Sequence, residues 1–490
     1  VRAGKGLCMV FSSLIFLFAY LAITLVLYYA VPFKARNAVL FVVSLIFYGW
    51  GEPKYIVVML FSILVAYIFG FFVGKYRESA PKKARAYLIV SIILNLSALL
   101  FFKYANFFIE NLALIPGLGG LKPIEGLKLP VGISFYTFQI MSYTIDVYRG
   151  DARVQRRIVP FGAYVTLFPQ LIAGPIVRYS DVDEQLTNRR ETVDKFASGV
   201  QRFCAGLAKK VLLADTVYVL LGHYHDAFAF EKTVLGAWLI VILYTFQIYF
   251  DFSGYSDMAI GLGRMLGFEF LENFNYPYIS KSITEFWRRW HISLSTWFRE
   301  YVYIPLGGNR KGRARAFLNL FIVWALTGLW HGASWNFVLW GLYYFVLLML
   351  DRLFWQKLLD KLPKAVSAIL SHITLPLAVL FGWVLFKFTS LPLAAAVVRG
   401  MFCGNGNAFT SFTVTAEIKS HMYLLIFCAA AATPVFSYLA KRWERAGEGS
   451  ALAQKSYSVA AYGVAPVLLL LLSTACLVGN SFNPFLYFRF

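Results

Sequence analysis

Apolar windows of about the length needed to cross some 30 Å of hydrocarbon as a helix recur from one end of this chain to the other. They lie near 11–31, 36–50, 54–74, 86–102 and 130–148, and again near 235–252, 316–330, 334–351, 366–388, 421–440 and 457–479. Only 14% of the 490 residues are charged, 59% are hydrophobic and the mean hydropathy is +0.63. A soluble domain carries about 25% charged residues. The expected fold class is therefore an all-α integral membrane protein, a polytopic helical bundle of about a dozen spans. Arg2 and Lys5 precede an apolar run too long for a signal peptide and without a small-residue cleavage site, so that run is expected to remain as the first membrane helix.

The formal charge of +21 would suggest nucleic acid in a soluble protein. Here the lysines and arginines fall in short segments between apolar runs, which is the positive-inside pattern. The clusters Lys75–Arg85, Arg149–Arg157, Arg189–Lys210, Arg299–Arg315, Arg352–Lys364 and Lys441–Arg445 are accordingly expected at the cytoplasmic face, with the N-terminus outside. Cys8, Cys204, Cys403, Cys428 and Cys476 show neither redox nor metal-ligand spacing, so no metal site is expected. Gly404-Asn405-Gly406-Asn407 reads as an outer loop.

The pattern is less regular in the middle. Residues 158–176 hold Pro160, Pro169, Gly174 and Pro175, and 281–310 are rich in Arg, Trp and Pro; both read as re-entrant or interfacial helices. Broken backbone at membrane depth needs protein or a watery cavity to satisfy its polar groups, so a cavity is expected here. Between 130 and 340, Gln139, Asp146, Gln170, Gln247, Asp251, Asp257, Asn273, Asn275, Glu285, Arg288, Arg289, His291, Asn309, His331 and Asn336 interrupt the apolar runs. For any one Asn, Gln or Asp the plain reading is an interhelical hydrogen bond.

The two histidines ask for more. His331 lies in Leu329-Trp330-His331-Gly332-Ala333-Ser334-Trp335 with apolar sequence on both sides, and a titratable imidazole there is costly. It can take a proton from a hydroxyl as that oxygen attacks a carbonyl, or simply bond a backbone carbonyl. His291 follows Trp287, Arg288, Arg289 and Trp290. It can hold the second imidazole nitrogen, bind an acyl carbonyl or stabilise an oxyanion, or serve as an interfacial anchor. Arg288 and Arg289 can meet phosphates of a cytoplasmic donor or snorkel as membrane anchors. Gly261-Leu262-Gly263-Arg264 follows no strand and reads as close helix packing or a loop. His223 and His225 form a loop-like pair beside Asp226 and read as surface histidines.

The run Phe286-Trp287-Arg288-Arg289-Trp290-His291-Ile292-Ser293-Leu294-Ser295, with Trp330-His331-Gly332-Ala333 forty positions on, resembles the membrane-bound O-acyltransferase superfamily. Tyr303-Ile304-Pro305-Leu306-Gly307-Gly308-Asn309-Arg310 is similar to its alginate O-acetylation branch, as are Phe250-Asp251-Phe252-Ser253-Gly254-Tyr255-Ser256-Asp257, Asn273-Phe274-Asn275-Tyr276-Pro277-Tyr278 and Phe168-Pro169-Gln170-Leu171. The opening Met9-Val10-Phe11-Ser12-Ser13 resembles that branch's start, leaving 1–8 as an upstream extension and 9–490 as one domain with its catalytic core near 130–345.

The resemblance implies His331 and His291 as catalytic residues, and Trp287, Arg288, Arg289, Trp290, Asn309, Trp330, Asn336, Asp251, Asp257 and Asn275 as substrate-binding residues. It implies a tunnel through a centrally thinned bundle in a bacterial inner membrane, with no tightly bound cofactor. Acetyl-CoA or another acetyl thioester would be the donor, and a polysaccharide or an extracytoplasmic esterase-like partner protein the acceptor. Transfer of D-alanyl or a longer acyl group is the runner-up. A transporter is disfavoured because no internal repeat is found.

Overall fold

The computed structural model describes residues 9–402, 406–447 and 450–479, without the side chains of 224–231. The expectations placed on residues 1–8, Cys403, Gly404, Asn405 and the side chains of His225 and Asp226 lie outside the described residues. Among the described residues six helices are long and apolar enough to cross a membrane: Ile56–Tyr76, Pro81–Leu112, Val234–Met265, Trp335–Asp360, Lys364–Lys387 and Ala451–Gly479. A seventh is reached if the bent pair Phe412–Ser420 and Met422–Ala431 counts as one. The remaining apolar windows form shorter helices, among them Phe33–Gly51, Ile133–Arg149 and Arg313–His331.

The chain divides into two compact units, one built from residues up to Phe203 with Ser256–Leu271, the other from Cys204–Tyr255 with the residues from Glu272 onward. In the first, the Pro-rich stretch folds as expected into short helices, Ile158–Thr166 and Phe168–Leu171. Gly261 lies in the Val234–Met265 helix, where a Cβ would sit 2.6 Å from the Gly199 carbonyl oxygen. Close helix packing is therefore the reading that holds for the Gly-Leu-Gly segment.

In the second unit the run from Lys281 breaks into Ile283–Arg289 and Ile292–Phe298, followed by a π-helical turn at Arg299–Tyr303. Ser282 caps the first of these, its side chain accepting from the Glu285 amide at 3.1 Å, while the Glu285 carboxylate accepts from the Lys281 amide at 2.9 Å. The serine satisfies an amide that a helix start leaves open, and the glutamate ties down the residue before the cap. The Arg313–His331 and Trp335–Leu350 helices then cross closely. A Cβ on Gly341 would lie 2.4 Å from the Trp324 carbonyl oxygen, and one on Gly328 2.4 Å from that of Phe337. Small residues let membrane helices approach in this way. Gly341→Ala should therefore push the helices apart and cost about 1–3 kcal/mol, as overpacking does. Thermal unfolding in detergent checks this, and an unchanged midpoint would contradict the contact.

Two sequence expectations are corrected. The window at 421–440 is not one span: the helix ends at Ala431, and Val435–Gly447 is an amphipathic helix that sets Phe436, Leu439 and Trp443 on one face and Lys441, Glu444 and Arg445 on the other. His223 lies in the Asp215–Glu231 helix rather than in a loop, though it is exposed as expected. Within the Arg189–Lys210 cluster three basic residues are held by partners inside the fold. Arg189 is buried against Tyr28, Glu191 and the Phe268 ring. Arg202 pairs with Asp257 at 2.6 Å, and Lys210 is buried between Asp215 and Asp251 at 2.6 and 2.7 Å. Buried ammonium and guanidinium groups persist only when paired, and these carboxylates pair them.

Candidate active site

His331 closes the Arg313–His331 helix and is 5% exposed. Rings from three helices enclose it: Trp330 beside it at 5.0 Å between ring centres, Trp340 from Trp335–Leu350 at 4.9 Å, and Phe386 from Lys364–Lys387 at 5.1 Å. The chain leaves His331 through Gly332, where a Cβ would come 2.3 Å from the Phe337 ring. Only glycine lets the backbone pass so close to that ring, which accounts for its place in the Trp-His-Gly segment.

His291 is 1% exposed and sits between the two short helices, as the residue before Ile292–Phe298, with φ 46° and ψ 54°. A left-handed backbone at a non-glycine residue is costly and is kept only where its surroundings enforce it. Asn273 supplies part of that enforcement. Its Oδ1 accepts from the Ser293 amide at 3.2 Å and from the Ser293 hydroxyl at 2.9 Å, and lies 3.1 Å from His291 Nδ1. An oxygen that already accepts from an amide must also accept from the imidazole, so Nδ1 carries the proton and Nε2 presents a lone pair. Nε2 is buried and has no hydrogen-bond partner. Burial against Phe252 and Trp330 holds the imidazole below its ordinary pKa range, so it is neutral near pH 7. Of the three roles read from sequence for His291, this arrangement supports accepting a hydrogen bond or proton and argues against donation to an oxyanion.

A cavity of ≈ 400 Å³ opens beside His291. Trp287, Arg288, Trp324, Thr327 and Arg352 line it, with Arg299 and Tyr303 also on its wall. His331 does not line it, but lies one helical turn beyond Thr327 on the same face of the Arg313–His331 helix. Indole rings occupy the interval: Trp287 packs on Trp324 at 4.7 Å and on Trp340 at 5.6 Å, and Trp340 on His331. The indole N–H groups of Trp287 and Trp340 are buried without hydrogen-bond partners.

The other candidates distribute as follows. Arg288 lines the cavity and has no carboxylate partner among the described residues. Arg289 does not line it; its guanidinium is held by Glu285 at 2.8 Å and by the Asn275 carbonyl at 3.2 Å. Asn275 is exposed and acts through its backbone, its amide donating to the Arg289 carbonyl at 2.9 Å. Trp290 is buried on Trp383 at 4.8 Å, and Trp330 packs against both imidazoles. Asn309 is exposed and accepts from the Tyr303 hydroxyl at 2.5 Å. Asn336 is buried, donating to the Leu385 carbonyl at 3.1 Å. Asp251 pairs with Lys210, and Asp257 belongs to the first unit, with Arg202. Read from the sequence, Trp324 and Trp340 carried no role, Arg299 and Arg352 only a side of the membrane, and Asn273 no specific role. The i, i+3, i+7 placement of Trp324, Thr327 and His331 was the available signal for the first of these. Among the described residues no three His, Cys, Asp or Glu side chains gather as a metal site would require.

A multi-pass helical membrane protein with buried imidazoles beside a cavity is the class that fold and site define. Residues 152–391 match the MBOAT, membrane-bound O-acyltransferase family. The chain is 40% identical to the probable alginate O-acetylase AlgI of Azotobacter vinelandii, over 98% of this chain and 100% of that protein. It is 34% identical to the peptidoglycan O-acetyltransferase of Helicobacter pylori, over 81% and 80% of the two chains, and 30% identical to the teichoic acid D-alanyltransferase of Bacillus subtilis, over 49% and 64%. The chain belongs to the membrane-bound O-acyltransferase family and is an integral membrane O-acyltransferase.

Proposed function

We propose that this enzyme moves an acetyl group from a cytoplasmic thioester to a hydroxyl at the outer face of the bacterial inner membrane, acetylating an exopolysaccharide or another envelope polymer. The observation that carries the reading is the placement of His331, sealed among rings one turn beyond a cavity whose wall holds Arg288 and Arg352. His331 takes the proton of the attacking hydroxyl, and His291 accepts a hydrogen bond from donor or acceptor through Nε2. The acetyl group is favoured over D-alanyl because the two acetylating relatives align over about four fifths or more of the chain, whereas the D-alanylating one aligns over 49%. Delivery is to the sugar directly or to a serine-type hydroxyl on an extracytoplasmic partner protein.

The donor is a thioester with a phosphate-bearing handle, such as acetyl-coenzyme A, entering by the cavity. Arg299 and Arg352, on the cavity wall, belong to basic clusters that the positive-inside rule assigns to the cytoplasmic face, which supports donor entry from that side. Arg288 and Arg352 have no carboxylate partner among the described residues and suit phosphate oxygens. Hydrogen bonds to charged groups contribute about 1.5–3 kcal/mol, so Arg288→Glu or Arg352→Glu should raise the half-saturating donor concentration about 10- to 100-fold and leave acceptor preference unchanged. A titration of labelled acetyl-coenzyme A with reconstituted protein checks this. An unchanged curve in active charge-reversed enzyme would place the donor elsewhere.

A further inference from the structure

Acyl transfer to a hydroxyl passes through a tetrahedral intermediate whose former carbonyl oxygen is negative, and preorganised donors around that oxygen are commonly the largest contribution to the rate. Neither imidazole is suited to the task. His331 is committed to the acceptor's proton, and His291 presents a lone pair at Nε2 because Asn273 holds its Nδ1 proton. The donor is therefore another group beside His331.

We propose that the indole N–H groups of Trp340 and Trp287 are the oxyanion-hole donors. This rests on the acyl-transfer reading above. Both N–H groups are buried and unpartnered, a state that costs about 1–3 kcal/mol each and is kept where a ligand completes the bond. Both rings stand beside the site. The Trp340 ring lies 4.9 Å from that of His331, Trp287 lines the cavity, and the two indoles are 5.6 Å apart and nearly perpendicular. Trp340 thus touches both the ring of His331 and the Trp287 ring on the cavity wall. Their surroundings are almost wholly aromatic, with Trp324 and Tyr344 completing the packing. In so apolar a setting a hydrogen bond to a developing negative charge is worth far more than in water.

The acceptor oxygen forms a bond to the carbonyl carbon as His331 takes its proton, and the C=O π pair moves onto oxygen, where the two N–H groups receive it. Collapse re-forms C=O, the C–S bond breaks with its pair on sulfur, and the thiolate takes the proton from the imidazolium. An O-acetyl ester and a free thiol leave, and no further reactant is needed.

The test uses full-length protein in membranes of its native cell lacking its own copy, with labelled acetyl-coenzyme A as donor and transfer into the envelope fraction as readout. Trp340→Phe should lower the maximal rate about 10²–10³-fold, the usual cost of one oxyanion donor, with the half-saturating donor concentration unchanged. Trp287→Phe should lower the maximal rate in the same range. Trp340→benzothienylalanine, which keeps the bicyclic shape and puts sulfur in place of N–H, separates hydrogen bonding from packing and should fall as far as Trp340→Phe. A wild-type rate in the benzothienylalanine protein, or a loss confined to donor affinity, would overturn the proposal. Retained activity in His331→Gln would instead overturn the underlying reading. An inactive His331→Gln with a fully active benzothienylalanine protein would overturn the oxyanion hole alone.

Discussion

His331→Ala and His331→Gln should abolish acetyl transfer, with a loss of at least about 10²–10⁴-fold from the missing base alone. The two variants are paired for a physical reason. Alanine leaves a void among Trp330, Trp340 and Phe386, and large-to-small changes in a core cost about 2–5 kcal/mol, so lost activity could reflect lost protein. Glutamine retains most of the volume and has no group that titrates near neutral pH. His331→Gln should therefore accumulate in the membrane near the wild-type level and still fail to transfer acetyl. Quantifying the protein by immunoblot and the polymer by its O-acetyl content separates the two effects. A His331→Gln protein that acetylates at the normal rate would remove His331 from the chemistry.

Asn273→Ala should be nearly as damaging, although the side chain lies behind His291 rather than at the cavity. Its Oδ1 is the acceptor shared by the His291 ring and by the Ser293 amide and hydroxyl. Without it the buried Nδ1–H loses its acceptor, at about 1–3 kcal/mol, and the left-handed turn at His291 loses part of what enforces it. The imidazole is then free to present N–H at Nε2, reversing its hydrogen-bonding sense toward substrate. Thermal unfolding in detergent should fall, and the transfer rate in the remaining folded protein should fall further. Asn273→Asp keeps an oxygen in place and should restore stability better than activity. Its carboxylate draws a second proton onto the imidazole, converting the Nε2 acceptor into a donor. Wild-type activity and stability in Asn273→Ala would show that the hydrogen bonds at His291 have no functional role.

Much of this was legible along the chain because helix length and polarity are local properties. Windows such as 54–74 and 366–388 became Ile56–Tyr76 and Lys364–Lys387, and Pro and Gly broke the 158–176 stretch where they stood. His331 and His291 stood out for the same reason, as titratable groups with no local excuse among apolar and aromatic neighbours. Basic residues were harder. Charge counting gave Arg202 and Lys210 a side of the membrane but not their partners, because pairing with Asp257 and Asp251 is invisible at separations of 55 and 41 positions. Arg288 and Arg289, adjacent and identical in type, were indistinguishable until the helix turned one into the cavity and the other onto Glu285.

What the sequence by itself determined is the class: a helical membrane protein with two histidines that demand a function, since burying an imidazole in lipid is costly wherever it occurs. What only the tertiary structure decided is how each nitrogen and N–H is used. The Nε2 lone pair of His291 depends on Asn273 being held by Ser293, and the place of Trp340 against His331 depends on two helices crossing closely at Gly328 and Gly341. A hydrogen bond is a matter of tenths of an ångström between residues distant in the chain, and no periodicity or composition carries that information.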